Sequence, residues 1–260
     1  NSVAAAAATA ATVASNTGVD AAAALYTIPE FASLGRCFRS TSSTPLTESE
    51  MEYVVTCVKH IFNDHVVLQF TIVNTINDQK LVDACVDLEL ENDELYEVES
   101  VIKVSAAYNE PSNCYVCLKR LGSPSAVSCG CNLLFKVVQV NPNTGEVEGD
   151  EDGYDEEYPL ESLVINTNDF MAKVNVTEFR RSWEGLSQEG EVCEKFALQF
   201  KKLEDATDAV IDFFGMQPVD GTGTVVVPRS GSSDATSVRT HVLHLSGVFV
   251  GNIPVLVRAQ

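Results

Sequence analysis

Ten residues, "LVDACVDLEL" (81–90), constrain this chain more than any other stretch. Val82, Ala84, Val86, Leu88 and Leu90 fall on alternate positions, with Asp83, Asp87 and Glu89 between them. A period of two puts successive side chains on opposite faces of a strand, so one face enters a core and the other meets water. "EYVVTCVKHIF", "HVVLQFTIVN", "CYVCLKRL" and "CNLLFKVVQV" have the same texture, rich in β-branched and aromatic residues. Turn-forming spacers separate them: "NTINDQ", "AYNEPSN", "LGSPSA" and "NPNTGE". Short strands at near-regular spacing, with no helical window among them, predict an immunoglobulin-like antiparallel β-sandwich over residues 37–169.

The period then changes. "KKLEDATDAVIDFFG" places Leu203, Ala206, Val210 and Phe213 at helical spacing and ends on Gly215, a residue suited to the left-handed position after a helix. "EKFALQF" before it alternates Phe196, Leu198 and Phe200 and reads as a strand. "THVLHLSGVFV" and "PVLVRA" read as two more. Residues 170–260 therefore form a small α+β unit, with a Gly/Ser-rich flexible insertion at 220–240. Residues 1–36, rich in Ala, Ser and Thr, read as a flexible linker. The chain begins with Asn, lacks the basic start and leucine-rich stretch of a signal peptide, and reads as a fragment of something longer.

Charge excludes whole classes of partner. With 17 Lys+Arg against 37 Asp+Glu, the net charge of −20 repels phosphate backbones and acidic lipid faces, so nucleic acid is not an expected partner. No run of about 18 apolar residues exists, so direct membrane insertion is not expected either. Eight cysteines are too dilute for a disulfide scaffold, and most sit in apolar strand-like runs, which points to reduced thiols and the cytosol. Cys114, Cys117, Cys129 and Cys131 have the ligand types of a zinc site. Their spacing argues for packing instead, because Cys114 and Cys117 would face opposite sides of a strand. The acidic run "GEVEGDEDGYDEEY" (145–158) departs from calcium-loop spacing and reads as a solvated, self-repelling loop. None of the four histidines lies in a nucleophile motif, and no phosphate-binding or dinucleotide fingerprint is present. No catalytic residue, metal or cofactor is expected.

One aromatic pair stands apart. In "VTEFRRSWEGL" (176–186) the single tryptophan, Trp183, follows Phe179 by four residues. On a helix capped by Thr177 the two share a face. A core stripe is the ordinary reading of such a pair. Arg180 and Arg181 beside it, in a chain this acidic, also fit an apolar patch with a basic rim for short acidic–aromatic peptides, and a partly exposed Trp anchored on Phe satisfies both readings.

The order of linker, sandwich and Trp-bearing platform resembles the appendage, or ear, domain of coatomer gamma subunits. "TESEMEYVVTCVKHIFNDHVVLQFTIVNTINDQKL", "DEDGYDEEYPLESL", "KKLEDATDAVIDFFGMQP" and "LHLSGVFVGNIPVLVR" carry the resemblance, from about Cys37 to the C-terminus. It implies a non-enzymatic recruitment appendage of the COPI coat, cytoplasmic and peripheral on Golgi membranes and vesicles. Its partners would be other coatomer subunits and an Arf GTPase-activating protein. The family's F-x-x-x-W motif falls on Phe179 and Trp183, and one of its late basic platform residues on Arg258. The implied docking set is therefore Phe179, Arg180, Arg181, Trp183 and Arg258. The family continues past the "LVR" strand, whereas this chain stops at Gln260. Two rivals remain: a structural coat-subunit contact with Trp183 in the core, and a zinc- or thiol-dependent enzyme built on the four cysteines.

Overall fold

The computed structural model describes residues 24–149, 152–186, 190–225 and 240–260. Most of the expected linker, and residues 226–239 of the expected insertion, lie outside the described residues, as do Asp150 and Glu151 of the acidic run. The chain divides into two units, one spanning Gly18–Thr167 and the other Asn168–Gln260.

The first unit is an antiparallel sandwich. One sheet runs β1 (Arg39–Ser40), β3 (Tyr53–Ile61), β4 (His65–Asn74), β8 (Ser112–Arg120) and β6 (Tyr96–Ile102), with β2 (Thr44–Pro45) also on β3. The other runs β10 (Tyr154–Ile165), β9 (Val127–Gln139), β5 (Gln79–Leu90) and β7 (Val104–Ala106). The hydrophobic alternation is used as expected on β9, where Val127, Cys129, Cys131, Leu133, Phe135 and Val137 are all buried.

On β5 the alternation breaks. Asp83 adopts a left-handed backbone (φ 53°) and the register shifts between Val82 and Cys85. An extra residue in a strand flips the phase of everything before it. Leu81, not Val82, is the buried residue ahead of the bulge, and Ala84 and Val86 are buried after it.

The outer face of the first sheet is also covered. Leu25 and Phe31, on two 3-10 turns at Leu25–Thr27 and Pro29–Phe31, pack with Cys37, Phe62, Val67, Tyr115 and Cys117. The linker expected over residues 1–36 is thus corrected: its last third is part of the sandwich, because two large apolar side chains are fully removed from water there. Val67 and Cys117 are cross-strand partners on that outer face, whereas Cys114 pairs with Phe70 on the other. The two cysteines do face opposite sides of β8.

A buried polar chain crosses the same sheet. His60 Nε2 lies 3.1 Å from the Gln69 amide oxygen, which can only accept, so Nε2 carries the proton and Nδ1 accepts from Ser40 Oγ at 2.8 Å. Burial holds the His60 pKa below its ordinary 6.5. The unfolded chain therefore takes up this proton first, and the stability tied to neutral His60 is full above about pH 6.5 and is lost as pH falls from there through the folded value. Urea midpoints between pH 7.5 and pH 5.5 should fall further for the wild type than for His60→Gln. Equal falls would remove His60 as a contributor.

The second unit is a four-stranded sheet with two helices. β13 (Leu243–Phe249) is central, paired with β14 (Ile253–Ala259) on one side and with β11 (Met171–Lys173) and β12 (Gln217–Pro218) on the other. Helix α1 spans Phe179–Leu186 and α2 spans Leu203–Phe214. Gly215 ends α2 in the left-handed conformation (φ 61°), its N–H bonded to the Ile211 carbonyl at 2.9 Å. The buried face of α2 differs from the expected stripe. Val210, Ile211 and Phe214 pack on Leu243 and Leu245 of β13, while Phe213 is exposed. Thr207, buried one turn before, carries the stripe because its hydroxyl is satisfied by the Leu203 carbonyl at 2.8 Å. "EKFALQF" is not a strand. Residues 190–200 form no ladder, and Phe196, Leu198 and Phe200 are exposed. Alternation alone makes no strand without a partner to take its hydrogen bonds.

Candidate functional site: the face of helix α1

Cross-strand pairing sorts the β13–β14 hairpin into two faces. Leu243, Leu245 and Gly247 with Ala259, Val257 and Val255 face α2. His244, Ser246 and Val248 with Arg258, Leu256 and Pro254 face the other way. Helix α1 lies on this second face. It starts one residue later than a Thr177 cap predicts, since the Glu178 carbonyl accepts the first helical bond, from Ser182 N–H at 3.1 Å.

The helix sets a column of rings on the hairpin. Phe179 stacks on the His244 imidazole, with centroids 4.1 Å apart and planes 6° from parallel. Asp220 Oδ2, 3.3 Å from His244 Nδ1, holds that imidazole in place. Trp183, one turn on, lies 5.6 Å from Phe179. The Arg258 guanidinium sits over the indole, 5.0 Å from its centroid. His244 and Arg258 are cross-strand partners, so one pair of strand residues receives both aromatics of the helix. This is why an F-x-x-x-W spacing is needed: one helical turn rises about 5.4 Å, close to the span between directly opposed strand residues.

The expected docking residues separate by role. Trp183 is half-buried and borders an open groove of about 250 Å³ between Trp183 and Leu186, residues 190–192, and Pro254–Leu256 of β14. Phe179 is 3% exposed, so it presents almost no surface and acts as the shelf beneath Trp183. Arg180 and Arg181 are brought to the helix surface but are paired within it, to Glu184 at 3.1 Å and Glu178 at 3.6 Å. Exposed helix pairs of this kind are worth only about 0.3–0.5 kcal/mol, so both guanidiniums can turn to another carboxylate. Arg258 is exposed, and no carboxylate pairs with it among the described residues. Arg258 is thus the cation that lies over the indole, with Arg180 and Arg181 exposed on the helix beside it. His244, the base of the column, is the residue that sequence reasoning missed. Its signal was the alternation of His244 with Leu243 and Leu245, which places it on the face away from the core.

The four cysteines with zinc-ligand chemistry, Cys114, Cys117, Cys129 and Cys131, are all buried. Burial pushes the thiols of Cys114, Cys117 and Cys129 up to about 12 and that of Cys131 to about 11. A thiol that stays protonated is a poor nucleophile and a poor metal ligand. Among the described residues no group of three or more His, Cys, Asp or Glu is placed to hold a metal ion. No described helix is long and apolar enough to cross a membrane.

A sandwich followed by an α+β platform, with a braced tryptophan at the mouth of a groove, defines a protein-interaction module of the appendage type. Residues 19–166 match the family described as the coatomer gamma subunit appendage platform subdomain. Residues 168–260 match that of the coatomer subunit gamma-1 C-terminal appendage platform. Coatomer subunit gamma of Arabidopsis thaliana is 41% identical over 240 residues, covering 91% of this chain and 26% of its own length. Coatomer subunit gamma-1 of Rattus norvegicus is 40% identical over 243 residues, and gamma-2 of Homo sapiens 41% over 242, each again covering 91% of this chain and 26% of the relative. The chain belongs to the coatomer gamma appendage family, and it spans about a quarter of the length of the curated relatives it matches.

Proposed function

We propose that this chain is a non-enzymatic recruitment appendage of the COPI vesicle coat. It docks short segments of accessory proteins, an Arf GTPase-activating protein among them, in the groove beside Trp183. The observation that carries the reading is the state of that tryptophan: half-buried, braced from below by Phe179 and capped by Arg258, at the edge of an open groove. A ring already fixed in place loses little conformational freedom when a ligand covers it, which is what makes tryptophan an effective anchor. An acidic side chain of the ligand meets Arg258, and an apolar one meets the indole. Contacts of this size are weak singly, and many copies on one coat convert them into avidity. Other coatomer subunits hold the appendage in the coat, on the cytoplasmic face of Golgi membranes and vesicles. The rival in which Trp183 is a core residue is disfavoured by the same partial exposure. The rival enzyme is disfavoured by the protonated, buried thiols.

Affinity capture from cytosol with the wild-type chain and with Trp183→Ala, at equal folded concentration, tests the reading. Trp183→Ala should remain folded at the temperature of the capture and lose the Arf GTPase-activating protein. Retention of every partner by a folded variant would move the site elsewhere.

A further inference from the structure

The two sheets of the sandwich do not end flush. β6 (Tyr96–Ile102) and β7 (Val104–Ala106) are one stretch of chain that changes sheets at Lys103, lying first on β8 and then on β5. β7 is short and meets β5 only at Leu81 and Ala84. Beyond it, the side of β5 away from β9 has no strand, while the first sheet still carries β6. The chain is described without a break from Gln79 to Arg120, so the step is made by the switch at Lys103. Register fixes what the step exposes. Val98 and Val101 of β6 oppose Leu118 and Val116, which are buried in the sandwich core, so both valines belong to its inner face. They are nonetheless 41% and 43% exposed. Leu88 and Leu90 of β5 oppose the buried Cys131 and Cys129 on the same inner face and are themselves only part-buried. Four aliphatic side chains therefore line a gap at the side of the sandwich, under the overhang of β6. The backbone of β5 faces the same gap. Glu91 N–H donates to the carbonyl of the opposed Ser128 at 3.0 Å. Hydrogen-bonded and non-hydrogen-bonded pairs alternate along an antiparallel ladder, so the N–H and C=O of Leu88 and Leu90 point away from β9. None of these groups has a backbone partner among the described residues. Between them, Asp87 and Glu89 stand exposed on the outer face, opposite Asn132 and Gly130, and no cation pairs with either among the described residues.

We propose that this step is a second docking site, independent of the Trp183 groove, which takes an extended segment of another protein as an added strand reading apolar-Lys/Arg-apolar-Lys/Arg. The strand runs antiparallel to β5, as β7 does, and fills the place in the second sheet that β7 leaves open. Neighbouring strands lie about 4.8 Å apart, so one strand on β5 comes to lie beneath β6. Directly opposed residues put their side chains on the same face. The ligand residues opposite Leu90 and Leu88 therefore point inward, cover Val98 and Val101, and are apolar. Those opposite Glu89 and Asp87 point outward and supply the cations that these carboxylates lack. Backbone bonds to Leu88 and Leu90 give affinity that is independent of sequence, and the alternating side chains give selection. Nowhere in the sequence do two basic residues stand two apart, so no segment of this chain, in cis or from a second copy, reads this way. The same two carboxylates keep the edges of two copies apart, as charges on edge strands do.

The test uses fluorescein-labelled Gly-Ser-Ile-Lys-Val-Lys-Ser-Gly, read by fluorescence polarisation with the 260-residue chain. The scrambled probe Gly-Ser-Lys-Lys-Ile-Val-Ser-Gly, of equal charge, should bind at least tenfold more weakly. N-methylation of Ile or of Val, whose N–H groups face β5, should weaken binding at least tenfold. N-methylation of the Lys between them, whose N–H faces away, should leave it within twofold. Asp87→Asn combined with Glu89→Gln, both at exposed positions, should weaken binding at least fivefold. Val101→Lys, which sets a cation in the gap from the β6 side, should abolish it. Trp183→Ala should leave it within twofold. Equal binding of the two probes would reduce the effect to general attraction by a chain of charge −20 and overturn the site. Equal losses at all three methylated positions would overturn the added strand. A probe that fails to bind, or that is lost with Trp183→Ala, would overturn the proposal, in the second case by placing the ligand on the other unit. A concentration-dependent dimer in sedimentation, abolished by Leu88→Pro, would give the edge to a second copy and overturn it as well.

Discussion

Phe31→Ala should destabilise the sandwich unit by about 3–5 kcal/mol, the usual cost of emptying a fully buried phenylalanine site. Phe31 is 1% exposed and meets Tyr115 edge-on, with centroids 5.6 Å apart at 71°. It and Leu25 are the two fully buried side chains through which residues 24–36 cover the outer face of the first sheet. The backbone around them is held by short local bonds, Ile28 N–H to the Leu25 carbonyl at 3.0 Å and Phe31 N–H to the Ile28 carbonyl at 3.0 Å. Such 3-10 turns do not persist by themselves, so the order of the segment depends on the packing. Losing Phe31 removes its transfer energy, leaves a cavity over Val67 and Cys117, and loosens the turns that place Leu25. The control is Glu30→Ala, beside it but exposed, which should shift stability by less than about 0.5 kcal/mol. Urea unfolding of the three proteins decides the matter. If Phe31→Ala unfolds with the same midpoint as Glu30→Ala, the segment is a tether after all.

That contrast shows where the sequence was legible. Long strands announce themselves because period two is enforced over many residues by one large core, as on β9. The cap at residues 25–34 has a different pattern: Leu25, Ile28, Phe31 and Leu34 recur every three residues and all pack on one cluster, a period that fits 3-10 turns and neither the strand nor the α-helix template. The β5 bulge hid for a related reason. Both Val82 and Leu81 are apolar, so the flip of phase at Asp83 leaves the composition unchanged, and only the left-handed backbone at an aspartate reveals it. "EKFALQF" misled in the opposite sense, since alternation records a preference for a two-faced environment and not the presence of a partner strand. Phe213 misled because the stripe on α2 advances by four at Val210, to Phe214, rather than by three. At the site, the F-x-x-x-W spacing fixed which helix residues matter. The shelf that receives them, His244 with Arg258, belongs to a pairing between strands, and no single-strand pattern contains it.

Phe179→Ala should lower the stability of the platform unit by about 3–4 kcal/mol, while Trp183→Ala costs about half as much or less. The difference follows from position. Phe179 is buried between the His244 ring and the indole, so its removal opens a cavity with aromatic walls on two sides. Trp183 is partly exposed, and what it loses in stability is partial burial together with one cation–π contact to an exposed arginine, worth about 0.5–1 kcal/mol. Binding should rank the other way at low temperature, where both variants remain folded. Trp183→Ala removes the surface proposed to meet the ligand, whereas Phe179→Leu should keep most of the shelf volume, cost less than about 1.5 kcal/mol and retain capture. Chemical unfolding and capture measured on the same three variants separate the two roles. A Phe179→Leu variant that folds but loses every Trp183-dependent partner would show that the indole requires an aromatic shelf to hold its docking orientation. A Trp183→Ala variant that loses as much stability as Phe179→Ala would mean the indole contributes as fully as a core side chain, and the groove beside it would then need another anchor to be a docking site.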